Sequence, residues 1–196
     1  MTLPNKLTLI RILVIPIMII LFYIDTDWLH SRVGTTYVTW LYLLEFILFT
    51  IASVTDFFDG WIARKYKLVS SFGKFVDPLA DKMLVFTAMG ILMVTYYEPG
   101  KVLIPMWVVM VILIREFMVS GIRMVVSERG VVIAAGMMGK LKTVFTMFAL
   151  GFLFWYGLAD WARIVGEVLM YISCALTVIS GIEYFWKSRK VILESI

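Results

Sequence analysis

A bundle of about six membrane-spanning α-helices in one domain, residues 1–196, is the fold class this sequence predicts. Three observations predict it. Of the 196 residues, 62% are hydrophobic and 15% aromatic, and the mean hydropathy is +0.94, which is far too apolar for a soluble domain. The apolar residues fall into runs of bilayer-crossing length, separated by short polar or basic connectors. Of the 18 lysines and arginines, only Arg32, Lys101 and Arg163 fall on one side when the runs are threaded through a membrane. The positive-inside rule makes the other side cytoplasmic.

Each element follows from local signals. Pro4 and Asn5 open a first helix, with Asn5 as its cap, and apolar residues continue to Ile24, interrupted by Arg11. Without a small-x-small cleavage site this run is expected to stay as a first span over 7–24. A polar connector over 25–36 precedes a second span over 37–59. A short basic link is predicted over 63–75 and a third span over 79–96. Proline favours the first helical turn, so Pro78 leaves two alternatives for Asp77, a cap or a helical residue. Glu98, Pro99, Gly100 and Lys101 form a turn, and a fourth span runs over 102–126, broken by Arg115, Glu116 and Arg123. The apolar piece within 127–139 is too short to cross and is expected as an interfacial hairpin. Fifth and sixth spans follow over 141–156 and 164–186, and the chain closes on a basic tail. Both termini are expected in the cytoplasm. Cys174 is alone, so an internal disulfide and a cysteine metal cluster are both excluded. His30 lies in a polar connector.

The chemistry concentrates between the second and third spans. Asp56, Asp59, Asp77 and Asp81 stand beside membrane segments, where ionisable groups are costly and mark a site. Asp56 and Asp59 are three residues apart and Asp77 and Asp81 four apart, so each pair can share a helix face, and two such faces can converge. Four neighbouring carboxylates repel one another, and hard divalent cations with oxygen ligands relieve that repulsion. Two such ions, a few ångströms apart, would clamp the attacking and leaving oxygens of a displacement at phosphorus. Gly60 and Gly73 allow close approach of backbone to a nucleotide or phosphate, and Arg64 can hold a phosphate with two N–H groups.

A second set of cations lies near the cytoplasmic ends of the fourth and fifth spans. Arg115 and Arg123 are about two helical turns apart on one side of their helix, with Lys140 and Lys142 following. Lys140 and Lys142 could equally be membrane anchors. Arg115 lies deep in an apolar run beside Glu116, which favours a pocket for a second anion, separate from the diphosphate.

The pattern Asp56-x2-Asp59-Gly60-x2-Ala63-Arg64-x8-Gly73-x3-Asp77-x3-Asp81 resembles the full signature of the CDP-alcohol phosphatidyltransferases, with all eight fixed positions filled. The resemblance implies two divalent ions, Mg²⁺ or Mn²⁺, held by the four aspartates. It also implies CDP bound around Gly60, Ala63, Arg64 and Gly73, and Asp81 as the base for the acceptor hydroxyl. The second set, together with Pro4, Asn5, Leu7, Thr8 and Arg11, is similar to members that use sn-glycerol 3-phosphate as acceptor and CDP-diacylglycerol as donor. On that likeness Arg115, Arg123, Lys140 and Lys142 hold the acceptor phosphate. Thr146 departs from that likeness, standing where a glutamine is expected, and Gly136 stands where a serine is common. The family also implies a homodimer. The basic rim suits anionic membrane lipid, and nothing calls for nucleic acid. Sister members acting on inositol phosphate, serine or phosphatidylglycerol share the aspartates. A divalent-cation transporter is a more distant alternative, since it would carry its acids near mid-membrane on several helices.

Overall fold

The computed structural model describes residues 3–24, 39–66, 71–128, 136–157 and 160–193; within these, side chains are described except at 3–7, 56–66, 71–75, 125, 127, 128, 160 and 190–193. Among the described residues the chain forms six helices and one small hairpin: α1 (Leu3–Tyr23), α2 (Trp40–Tyr66), α3 (Ser71–Val94), β1 (Tyr96–Glu98), β2 (Lys101–Val102), α4 (Met106–Glu128), α5 (Met137–Phe154) and α6 (Asp160–Leu193).

Two expected connectors are largely helical. The basic link over 63–75 is taken up by the last turn of α2 and the start of α3, leaving only 67–70 between them. Alanine, arginine and lysine are good helix formers, so cationic residues there do not end a helix. Because α3 begins at Ser71, Asp77 is helical and not a cap, and Pro78 lies inside the helix. A proline there removes one i→i−4 bond and crowds the preceding turn, a local defect that the flanking packing tolerates. The hairpin expected over 127–139 yields its first residues to α4 and its last to α5, and 129–135 lies outside the described residues. The basic tail continues α6, which runs for 34 residues.

Two helices carry stretches long and apolar enough to cross a bilayer, Met137–Phe154 and Trp161–Arg189. Shorter apolar stretches fill Thr8–Tyr23 and Trp40–Thr55. The outward faces are apolar as well: Leu13, Ile17 and Ile20 on α1, Ile47, Ile51 and Val54 on α2, and Val168, Ile179 and Ile182 on α6 are all exposed. Water-facing surfaces rarely carry apolar patches of this extent, so these helix faces suit lipid.

The core joins all six helices. Met18 from α1, Ala52 from α2, Met89 from α3, Val108 from α4, Leu150 from α5 and Met170 from α6 belong to one buried cluster. α1 packs against α2 and α3, and α6 against both α4 and α5. At Gly166, α6 approaches α5 closely. A Cβ there would lie 2.7 Å from Leu153 Cγ and 3.1 Å from its backbone nitrogen. At the hairpin end, Arg163 lies 4.4 Å over the ring of Tyr97, and Trp107 stacks on Tyr171. Glu98 accepts a 2.7 Å hydrogen bond from Lys101; this bond and the lysine's charge lower the carboxyl pKa.

Candidate active site

The opposite end of the bundle holds the polar side chains. Thr8 and Arg11, three residues apart on α1, face Asp77 and Asp81, four apart on α3, so two single-face pairs meet across one helix contact. Thr8 Oγ1 donates to Asp77 Oδ1 at 2.6 Å, and Arg11 Nη1 donates to Asp81 Oδ1 at 2.6 Å. The Arg11 side chain is 0% exposed, whereas that of Asp81 is 43% exposed. A buried guanidinium thus fixes a carboxylate that still reaches outward. Arg11 looks, in sequence, like a charge that merely interrupts a span; its spacing from Thr8 was the available signal for a paired role.

Asp56, Asp59, Gly60, Ala63 and Arg64 occupy the last turns of α2, and Gly73 the first turn of α3, but their side chains lie outside the described residues. The described pair, Asp77 and Asp81, fits a hard divalent cation. Both are oxygen donors, one turn apart on one face, and each is oriented through Oδ1 by a donor from α1.

The second basic set is brought together in part. α4 and α5 share no close backbone contact among the described residues, because α6 holds both and keeps them apart. Their side chains meet across the gap. A cavity of about 180 Å³ lies there, walled by Arg115 and Arg123 from α4, Lys142 from α5, and Ser180, Glu183 and Lys187 from α6. Lys140 is exposed and does not line it. Arg115 is anchored on two sides, by Nη1 to Glu116 Oε1 at 3.0 Å and by Nη2 to Ser180 Oγ at 2.8 Å. Its Nε is buried without a hydrogen-bond partner among the described residues. Gly181 leaves it room, since a Cβ there would lie 3.0 Å from Arg115 Cγ. Lys142 pairs with the same oxygen of Glu116. Arg123 lies 5.9 Å from the ring centre of Tyr184, and Lys187 pairs with Glu183 at 2.5 Å.

A second cavity, of about 290 Å³, contains Asp81 and Lys82 and extends between α3, α4 and α5. Glu116, Lys142 and Thr143 line both cavities. The carboxylate of α3 and the cations of α4 and α5 are therefore neighbours across one shared wall. Lys82 hydrogen-bonds Ser120, which ties α3 to α4 at this level. Thr146, one of the departures noted in the sequence, shares a 2.5 Å hydrogen bond with Ser173, and the hydroxyl whose proton is not used between them donates to the Lys142 carbonyl, which lies within reach of both. The residue in place of glutamine serves the α5–α6 contact beneath Lys142. The contributions of Ser180, Glu183, Tyr184 and Lys187 were not foreseen from sequence, because they come from α6, 65 residues away in the case of the Arg115–Ser180 bond.

A helical membrane-type bundle with an oxygen-donor pair at one end, adjoining a pocket rich in cations, suits phosphoryl-transfer chemistry on a lipid-linked substrate. Over residues 1–179 the chain matches the CDP-alcohol phosphatidyltransferase family, and it belongs to that family. It is 42% identical over 197 residues to the CDP-diacylglycerol--glycerol-3-phosphate 3-phosphatidyltransferase of Bacillus subtilis, covering 98% of each chain. It is also 42% identical over 187 residues to the protein of the same name from Rickettsia typhi, covering 93% of this chain and 94% of that one. A Shigella flexneri protein of that name is 33% identical over 193 residues, with 97% of both chains covered.

Proposed function

We propose that this protein transfers the phosphatidyl group of CDP-diacylglycerol to sn-glycerol 3-phosphate, releasing CMP and forming phosphatidylglycerophosphate. The likeness to enzymes of that name over nearly the whole chain supports the reaction. The observation that carries the site assignment is the wall of Glu116, Lys142 and Thr143 common to the Asp81 cavity and the cationic cavity. An acceptor with a phosphate at one end and a hydroxyl at the other can bridge that wall.

In this reading Arg115, Arg123 and Lys142 bind the acceptor phosphate, with Lys140 contributing charge from outside the cavity. Asp81, oriented by Arg11, takes the proton of the attacking hydroxyl. Arg64, Gly60, Ala63 and Gly73 bind the CDP portion. Asp56, Asp59, Asp77 and Asp81 would hold two divalent cations, Mg²⁺ or Mn²⁺, which when bound neutralise charge on the diphosphate. The six helices cross the membrane with both termini and the aspartates on the cytoplasmic side, where cations predominate, and the protein acts as a homodimer.

The test is CMP release by the purified protein with CDP-diacylglycerol and Mg²⁺ or Mn²⁺. Glycerol 3-phosphate should support it, whereas inositol 1-phosphate and serine should not. Release with inositol 1-phosphate or serine alone would reassign the acceptor and leave the reaction class standing.

A further inference from the structure

Among the described residues, Glu116 is the one acid placed against two of the cations assigned to the acceptor. It stands immediately beside Arg115 on α4, and a single oxygen, Oε1, meets both Arg115 Nη1 at 3.0 Å and the ammonium of Lys142. The three side chains are largely shielded from solvent, at 13%, 18% and 11% exposure for Arg115, Glu116 and Lys142. Shielded charge pairs of this kind hold their geometry, because a cation or carboxylate left alone there is costly. One carboxylate between a guanidinium and an ammonium is also the arrangement that a phosphate would make with the same two groups. Glu116 is, in addition, part of the wall between the two cavities.

We propose that Glu116 is a built-in stand-in for the acceptor's phosphate. Its carboxylate keeps Arg115 and Lys142 correctly spaced, and the incoming phosphate takes these cations from it by competition. Displaced, Glu116 withdraws from the wall, and the acceptor's hydroxyl end gains its path toward Asp81. Arg115 remains located throughout by its second bond, from Nη2 to Ser180 Oγ at 2.8 Å, so the exchange does not release the guanidinium. Glu116 is thus a positioning residue that acts through Arg115 and Lys142, and it sets the anion affinity of the pocket below what its cations alone would give. The inference rests on the assignment of this cavity to the acceptor phosphate.

The sign of the effect separates this role from a purely structural one. If Glu116 merely held the pocket together, removing its charge would weaken anion binding. If it competes with the anion, removing its charge strengthens binding. The experiment measures the KM for glycerol 3-phosphate, kcat, and the inhibition constant of inorganic phosphate as a competitor, using the full-length protein in detergent. For Glu116→Gln, which keeps the shape and loses the charge, the phosphate inhibition constant should fall about tenfold, equivalent to about 1.4 kcal/mol. The KM should fall with it, and kcat should change less than either constant. Glu116→Asp keeps the charge but is too short to bridge both cations, and its phosphate constant should lie between those of Glu116→Gln and the unaltered protein. An unchanged or raised phosphate constant in Glu116→Gln overturns the proposal. Should that variant fail to fold, Glu116→Asp decides alone, with a constant at or above that of the unaltered protein overturning it. Tighter phosphate binding with no change in the KM for glycerol 3-phosphate would place the competition at an anion site other than the acceptor's, overturning the stand-in role together with the assignment of the acceptor to this cavity.

Discussion

Removing the Arg11 guanidinium should damage the reaction as well as the fold. In Arg11→Met the side-chain volume is roughly kept, while the 2.6 Å bond to Asp81 is lost. Breaking a buried ion pair costs about 3–5 kcal/mol when the partner stays buried and charged. Here the partner is not sealed in: the Asp81 side chain is 43% exposed, so water can replace part of the lost bond. The expected loss of stability is therefore nearer the range for a hydrogen bond to a charged group, about 1.5–3 kcal/mol. Catalysis should fall by a similar free energy, because Asp81 without Arg11 samples more rotamers and fewer of them face the acceptor. A drop in kcat of about 10- to 100-fold is expected, corresponding to about 1.4–2.7 kcal/mol of lost transition-state stabilisation. Thr8→Val, which removes a neutral donor to Asp77, provides the internal scale and should cost about 1 kcal/mol. Thermal unfolding in detergent and CMP release measure the two quantities. A wild-type kcat in Arg11→Met, or a larger effect from Thr8→Val, would refute the view that α1 aims the aspartates.

Three further outcomes are expected. Gly181→Ala places a methyl 3.0 Å from Arg115 Cγ, so the KM for glycerol 3-phosphate should rise several-fold, about 1 kcal/mol in binding, with kcat nearly constant in steady-state kinetics. Gly166→Ala sets a methyl 2.7 Å from Leu153 Cγ and close to backbone; overpacking of this kind costs about 1–3 kcal/mol, visible as a lower Tm in detergent with unchanged KM values. A chelator should abolish CMP release, and Mg²⁺ or Mn²⁺ should restore it, while Asp77→Asn should leave the restored rate far below that of the unaltered protein.

The helical class was legible because composition and run length alone require it. The helix ends were not. Arg64 and Lys65 read as part of a link, yet cationic residues continue a helix without difficulty, and both lie within α2. Pro78 read as a first-turn residue because local preference puts proline there; packing along the rest of α3 overrides that preference. On the site, the spacing of Asp77 and Asp81 was sufficient to place them on one face. Their partners on α1 could be suspected only from Thr8 and Arg11 being three apart in an apolar run. The cationic cavity was half visible: Arg115 and Lys142 announce themselves as charges in apolar surroundings, whereas Ser180 and Tyr184 are ordinary residues of a long helix until α6 is laid across the gap. Lys140 shows the reverse case, a cation near the site by sequence number that the helical turn directs elsewhere.

The length of α6 bears on how two substrates of opposite solubility could meet. Its 34 residues span about 51 Å, against a hydrocarbon thickness of about 30 Å. The surplus turns carry Lys187 and Arg189, and Lys187 stands at the cationic cavity. With α6 set across the bilayer as proposed, that rim would stand in the headgroup layer or the water above it. A small phosphorylated alcohol could arrive there straight from solution, while the greasy donor stayed in its own leaflet and slid in sideways, so neither would need to leave its natural phase.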